Sequence, residues 1–102
     1  MFLFNLTYVK PLSEVERFLP EHIKFLNEYY EKHIFICSGR KVPRTGGIIL
    51  CDCSDIAKAK TIMENDPFFK EKIAEYEIIE FVPSKFSEEF EGVINRPTVT
   101  VP

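Results

Sequence analysis

The chain has 102 residues, of which 45% are apolar, with ten phenylalanines and a formal net charge of -3. That suits one domain with a core that needs no disulfide or metal staples, and it excludes a disordered chain. The acidic balance argues against nucleic acid as a partner; the local exception is the cluster Arg40, Lys41 and Arg44.

Phe2 to Val9 is predicted as the first strand. Phe2, Phe4, Leu6 and Tyr8 share one face, and Leu3, Asn5, Thr7 and Val9 the other. The run is short, has no basic flank, and is interrupted by Asn5 and Thr7. Neither a signal peptide nor a membrane span is expected, so a cytoplasmic protein with no membrane partner is the expectation. Pro11 ends the strand. Ser13 and Glu16 have capping-box spacing for a short helical turn. Pro20 disfavours helix at Leu19 but suits the first position of a helix, so the main helix is predicted from Pro20 to about Lys32. Its inward stripe would be Ile23, Leu26 and Tyr30, with Asn27 marginal and His22 on the edge.

Ile34 to Gly39 reads as the second strand and Ile48 to Cys53 as the third. The turn-rich link between them, with Pro43, Gly46 and Gly47, fits an antiparallel hairpin with a long loop. Ser54 or Asp55 caps a second helix running to about Glu64, with Ile56, Ala59 and Met63 on one face. Asp66 followed by Pro67 reads as the N-cap and first position of a short helical turn. Glu75 to Val82 is the fourth strand. Residues 1–86 form the expected domain. Residues 87–102 form a tail, in which Thr98 to Val101 would be an edge strand or a dimer arm.

The order β-α-β-β-α-β predicts a ferredoxin-like α+β sandwich, an antiparallel sheet with two helices on one face. Yet the strands carry apolar residues on both faces: Ile34 and Ile36 alternate with Phe35 and Cys37, Ile48 and Leu50 with Ile49 and Cys51. An open antiparallel face should be more polar. A second copy is the simplest cover, so a homodimer is expected. The three cysteines have no zinc-type spacing, and no phosphate loop or dinucleotide fingerprint is present. No metal and no cofactor are expected. Free thiols in a reducing compartment are the default reading.

Several segments together resemble the YCII-related (YciI-like) proteins: "EHIKFL" followed by "FICSG", then "GGIIL", a helix, "NDPFF" and "EYEIIEF". The resemblance covers about residues 1 to 86. It implies a dimeric α/β barrel with a pocket holding a His-Asp pair. At least one member of the family is a lyase-type dehydrochlorinase acting on a hydroxylated aromatic ring. The family's histidine falls on His22, its aspartate on Asp66, and the Ser-Gly ending the second strand on Ser38 and Gly39. Arg40 stands where a proline is common in the family, and the basic loop reads either as a solvated loop or as a rim that gathers an anionic ligand.

Taken without the resemblance, His22 reads as a surface histidine and Asp66 as a simple N-cap. With it, the pair becomes an acid–base dyad: one Asp66 oxygen would cap while the other accepts from the imidazole. His33 reads as structural, complementing the helix dipole. Ser38, Gly39 and Arg40 would border a bound small molecule. The leading expectation is an enzyme of lyase or isomerase type, acting on a small anionic or aromatic substrate. The alternative is a non-catalytic ligand-binding or assembly module of the same dimeric fold. The discriminating feature is whether His22 and Asp66 meet at the base of a cavity.

Overall fold

A computed structural model of the chain describes residues 1–94. Its elements are β1 (Phe2–Tyr8), α1 (Leu12–Glu31), β2 (Phe35–Arg40), β3 (Gly46–Cys51), α2 (Ile56–Glu64), α3 (Pro67–Lys70), β4 (Ala74–Glu80) and α4 (Glu88–Ile94). The four strands form one antiparallel sheet in the order β2-β3-β1-β4. This is the expected ferredoxin-like sandwich.

The alternation in β1 sets the two faces. Phe2, Phe4 and Leu6 are buried against the helices, while Leu3 and Asn5 are half-buried and Thr7 is exposed on the other side. Cross-strand register extends the helix face to Ile49 and Cys51 on β3 and to Tyr76 and Ile78 on β4. Phe35 of the sheet meets Phe4 beside it and Phe25 and Tyr29 of α1 in edge-on and tilted aromatic contacts. The opposite face carries Leu3, Ile48 and Leu50, all half-buried, and Ile79, which is 43% exposed.

Helix α1 differs from the prediction. It is one continuous helix with Pro20 inside it, and Pro11 precedes it without a side-chain cap. The proline forfeits a backbone bond, at a typical cost of about 3 kcal/mol. Packing on both sides of Pro20 offsets this: Val15, Phe18 and Leu19 before it, His22, Phe25 and Tyr29 after it. Continuity also moves the buried stripe by about one position. Val15, His22, Phe25 and Tyr29 face the core, Leu26 and Tyr30 flank it, and Ile23 is 45% exposed. His22 therefore lies within the stripe and not on its edge. On α2, capped by Asp55, the buried residues are Ala59 and Ile62; Ile56 is exposed.

His33 also has a different structural role. It adopts a left-handed conformation (φ 59°), its N–H donates to the Tyr30 carbonyl, and the Ile34 N–H donates to that of Tyr29. That is a Schellman close to α1. Lys72 (φ 56°) closes α3 in the same way, with the Ile73 N–H donating to Phe68 O. This second close buries Ile73 against the core next to Phe68.

Strand β2 starts and ends one residue later than predicted and contains a bulge between Phe35 and Cys37. Phe35 pairs with Cys51, and Ser38 then pairs with Ile49. Both partners lie on the helix face, so the bulge brings Ser38 and Arg40 to that face and sends Cys37 and Gly39 to the other. The predicted strand or arm at Thr98 to Val101 lies outside the described residues. Helix α4 buries none of its side chains.

Strand β3 begins with Gly46 packed against the β1 backbone. A Cβ on Gly46 would stand 1.8 Å from the Leu6 carbonyl oxygen. Gly46→Ala is expected to lower unfolding free energy by about 3 kcal/mol or more, because backbone and not a flexible side chain must yield. Urea denaturation at neutral pH measures this; a loss below about 1 kcal/mol would show that the β1–β3 pair can separate cheaply.

Candidate functional site

Among the described residues, two polar or charged residues are buried, and they bond to each other. His22 is 9% exposed and Asp66 is 0% exposed. The His22 Nδ1 lies 2.8 Å from Asp66 Oδ1. They are 44 positions apart, one on α1 and the other on the cap of α3.

Local chemistry places each partner. Asp66 is the N-cap of α3, with Pro67 in the first turn, and its Oδ1 accepts from the Phe68 N–H at 2.9 Å. The expectation that one oxygen would cap and the other receive the imidazole is corrected here: Oδ1 does both. The second oxygen is taken by Tyr76 of β4, whose hydroxyl donates to Oδ2. A fully buried carboxylate without donors would cost several kcal/mol. Three donors from three elements offset that cost.

The His22 ring stacks on Phe68, with centroids 4.0 Å apart and planes 5° from parallel. Phe25 lies at 5.9 Å from the ring, tilted by 30°. A carboxylate accepts only, so the tautomer that bonds to one here carries its proton on Nδ1 and leaves Nε2 as the other ring nitrogen.

His22 lines a cavity of about 420 Å³ between α1 and the sheet. Leu6, Leu19, Leu26, Ile49 and Phe68 supply apolar wall; Ser38, Gly39, Arg40 and Arg44 lie along β2 and the following loop. The residues singled out from sequence are thus brought to one cavity, with Asp66 directly behind His22. The Ser38 hydroxyl is 2.6 Å from the Tyr30 hydroxyl, so its observed partner is a phenol and not an activating base.

The basic trio separates into different roles. Arg44 is paired with Glu16 at 3.1 Å, and Lys41 donates to Thr7 at 3.2 Å. Arg40 is exposed at the cavity and, among the described residues, makes no side-chain ion pair. The thiols take no part: burial first, then Cys53, pushes Cys51 far above its ordinary value, and burial likewise raises Cys53. Among the described residues no group of acidic, histidine or cysteine side chains could hold a metal ion, and no helix is long and apolar enough to cross a membrane.

Tyr76 is the site residue that sequence reasoning missed. The alternation within β4 was the available signal, with Tyr76 and Ile78 against Glu75 and Glu77; the register with Leu6 then puts Tyr76 on the helix face. Burial first, and the Asp66 carboxylate second, push its phenol far above the ordinary 10.0.

The sequence profile of the YCII-related domain matches residues 1–82. No curated protein matches the chain. Among solved structures, the chain is similar to 5-chloro-2-hydroxyhydroquinone dehydrochlorinase from Burkholderia phenoliruptrix, in complex with 2,5-dihydroxybenzoquinone. The two share 16% identity, the match covers 80% of this chain and 94% of that one, and the TM-score is 0.67. At that identity the likeness concerns the fold.

The phenol sets an alkaline limit to stability. Above pH 10 the unfolded tyrosine releases its proton while the folded one keeps it, so stability is full below 10.0 and falls as pH rises. The slope attributable to Tyr76 approaches about 1.4 kcal/mol per pH unit. Urea midpoints from pH 8 to 11 should fall more steeply for the wild type than for Tyr76→Phe; parallel curves would contradict the burial of this hydroxyl.

Proposed function

This chain belongs to the YCII-related domain family, and we propose that it is a small-molecule enzyme of lyase or isomerase type, working through His22 and Asp66. One observation carries the reading: His22 lines the cavity while its Nδ1 is bonded to a fully buried carboxylate. This is the arrangement that separates a base at work from a histidine splayed into solvent.

In the proposed reaction His22 Nε2 takes a proton from a carbon or hydroxyl of the bound substrate. The electron pair left behind forms a double bond and expels a leaving group, or shifts along a conjugated system. His22 then returns the proton to the leaving group or to another carbon. The imidazolium formed between these steps is stabilised by Asp66 and by the face of Phe68. Phe68 and the leucines would hold an apolar ring, and Ser38 and Gly39 would border it.

Arg40 suggests the charge of that ring's substituents. A guanidinium at a cavity rim that makes no ion pair among the described residues favours an anion, whereas Arg44 is already neutralised by Glu16. The substrate class we propose is a small acidic molecule, an ionised hydroxylated ring or a carboxylate. The similar dehydrochlorinase is bound to 2,5-dihydroxybenzoquinone, a vinylogous acid, which is a suitable probe.

Isothermal titration of 2,5-dihydroxybenzoquinone and a panel of small carboxylates tests this. Arg40→Ala should weaken binding about 10-fold or more, the loss of one charge-assisted bond. Unchanged affinity would remove the anion reading. For any turnover found, His22→Ala should lower the rate about 10²–10⁴-fold without unfolding the protein. A fully active His22→Ala variant would refute the dyad and move the chemistry to other residues.

We also propose a homodimer, with the apolar face of Leu3, Ile48, Leu50 and Ile79 packed on its copy and the tail as a dimer arm. Such an interface typically buries on the order of 2,000 Å² or more. Light scattering should give twice the chain mass of 11.9 kDa. A monomer across micromolar concentrations would refute it. The free thiols Cys37, Cys51 and Cys53 support a reducing, cytoplasmic setting.

A further inference from the structure

We infer that Tyr76 is a positioning residue for the acid–base pair: its hydroxyl locks the Asp66 carboxylate in the one orientation that presents Oδ1 to His22. The inference rests on the reading of His22 as the cavity base and extends it to a residue outside the cavity that His22 lines.

The argument starts from the freedom of an aspartate side chain. Rotation about its last bond has a broad, roughly two-fold profile, so a carboxylate held at one oxygen can swing. Oδ1 is held by two donors, His22 Nδ1–H and the Phe68 N–H. Both act on the same oxygen, so they leave the plane of the group free to turn about that point. The Tyr76 hydroxyl holds Oδ2, the remaining corner. With it, each donor comes from a different element: α1, α3 and β4.

Tyr76 is itself held firmly. Its ring packs edge-on against Phe4 at 5.6 Å and Phe69 at 6.1 Å, and cross-strand register places it opposite Leu6. Burial and the neighbouring carboxylate keep the phenol protonated. It therefore remains a donor to Asp66. A phenylalanine would fill the same space and leave Oδ2 buried without a donor. The carboxylate would then turn away from His22 to find one, and the imidazole would lose the bond that selects its tautomer.

The test reads the imidazole directly, without ligand. In ¹⁵N-labelled wild-type protein, His22 should show one tautomer, protonated at Nδ1, with a slowly exchanging, downfield Nδ1 proton. In Tyr76→Phe that proton should broaden with exchange, and a second tautomer should appear in slow or averaged exchange. Ile78→Val, on the same strand and face, is the control for a merely structural effect; it should leave the His22 signals unchanged. If Tyr76→Phe keeps the wild-type His22 spectrum, or if Ile78→Val disturbs it equally, the positioning role is overturned. Should Tyr76→Phe fail to fold, 3-fluorotyrosine placed at position 76 keeps the ring and the donor. Its more acidic hydroxyl should shift the Nδ1 proton upfield, and an unmoved resonance would also overturn the role. Because no ligand is present, a negative result here leaves the cavity reading intact. Loss of that reading through the Arg40 and His22 variants would leave the Tyr76 result standing.

Discussion

A carboxylate with no access to water must be solvated by the protein itself, and Asp66 is the place where this chain meets that demand. Its oxygens receive an imidazole N–H, a backbone N–H and a phenol, each delivered by a different element. Leaving such a group unpaired would cost several kcal/mol, so the packing of α1, α3 and β4 must agree at this point. The left-handed Lys72 and the burial of Ile73 bring the chain out of α3 and into β4 at the angle that lets Tyr76 reach back. The core and the site are thus one problem with one solution. The residues that hold Asp66 also connect the helix layer to the sheet.

The cavity in front of His22 shows how a single irregularity assigns chemistry. Without the bulge in β2, Ser38 and Arg40 would alternate onto the helix-free face, and the Cys37 side chain would look toward the helices. With it, a hydroxyl and a guanidinium join an otherwise apolar wall. The surrounding charges then sort themselves by partner. Glu16 on α1 absorbs Arg44, Thr7 on β1 receives Lys41, and Arg40 keeps its charge for the cavity rim. Three basic residues close in sequence have three different surroundings, and only their neighbours in space reveal it.

The sheet divides the labour between its faces. One carries Phe2, Phe4 and Leu6 into an aromatic core that fixes α1, and the site is built at the end of that core. The other bears aliphatic residues that are half-buried or exposed in a single chain, interrupted by the Asn5–Glu77 hydrogen bond. The first face explains the stability of one copy. The second leaves Leu3, Ile48 and Leu50 half-buried and Ile79 exposed.

Period-two alternation and turn residues determined the order of the four strands and the helices between them, the faces of β1, the hairpin and the cap at Asp66, and narrowed the cap of α2 to Ser54 or Asp55. These are local properties: steric preference, hydrogen bonding within a few residues and the side-chain period of each element. The pairing of His22 with Asp66 was legible only through resemblance to the family, since no local rule joins positions 44 apart. Tertiary structure alone decided the rest. It carried α1 through Pro20, because packing on both sides outweighs one lost backbone bond. It turned His22 inward, inserted the bulge that turns Ser38 and Arg40, and set Tyr76 on the free oxygen of Asp66. Each of these depends on the fit of side chains brought together by the fold, and that fit is absent from any local stretch of the sequence.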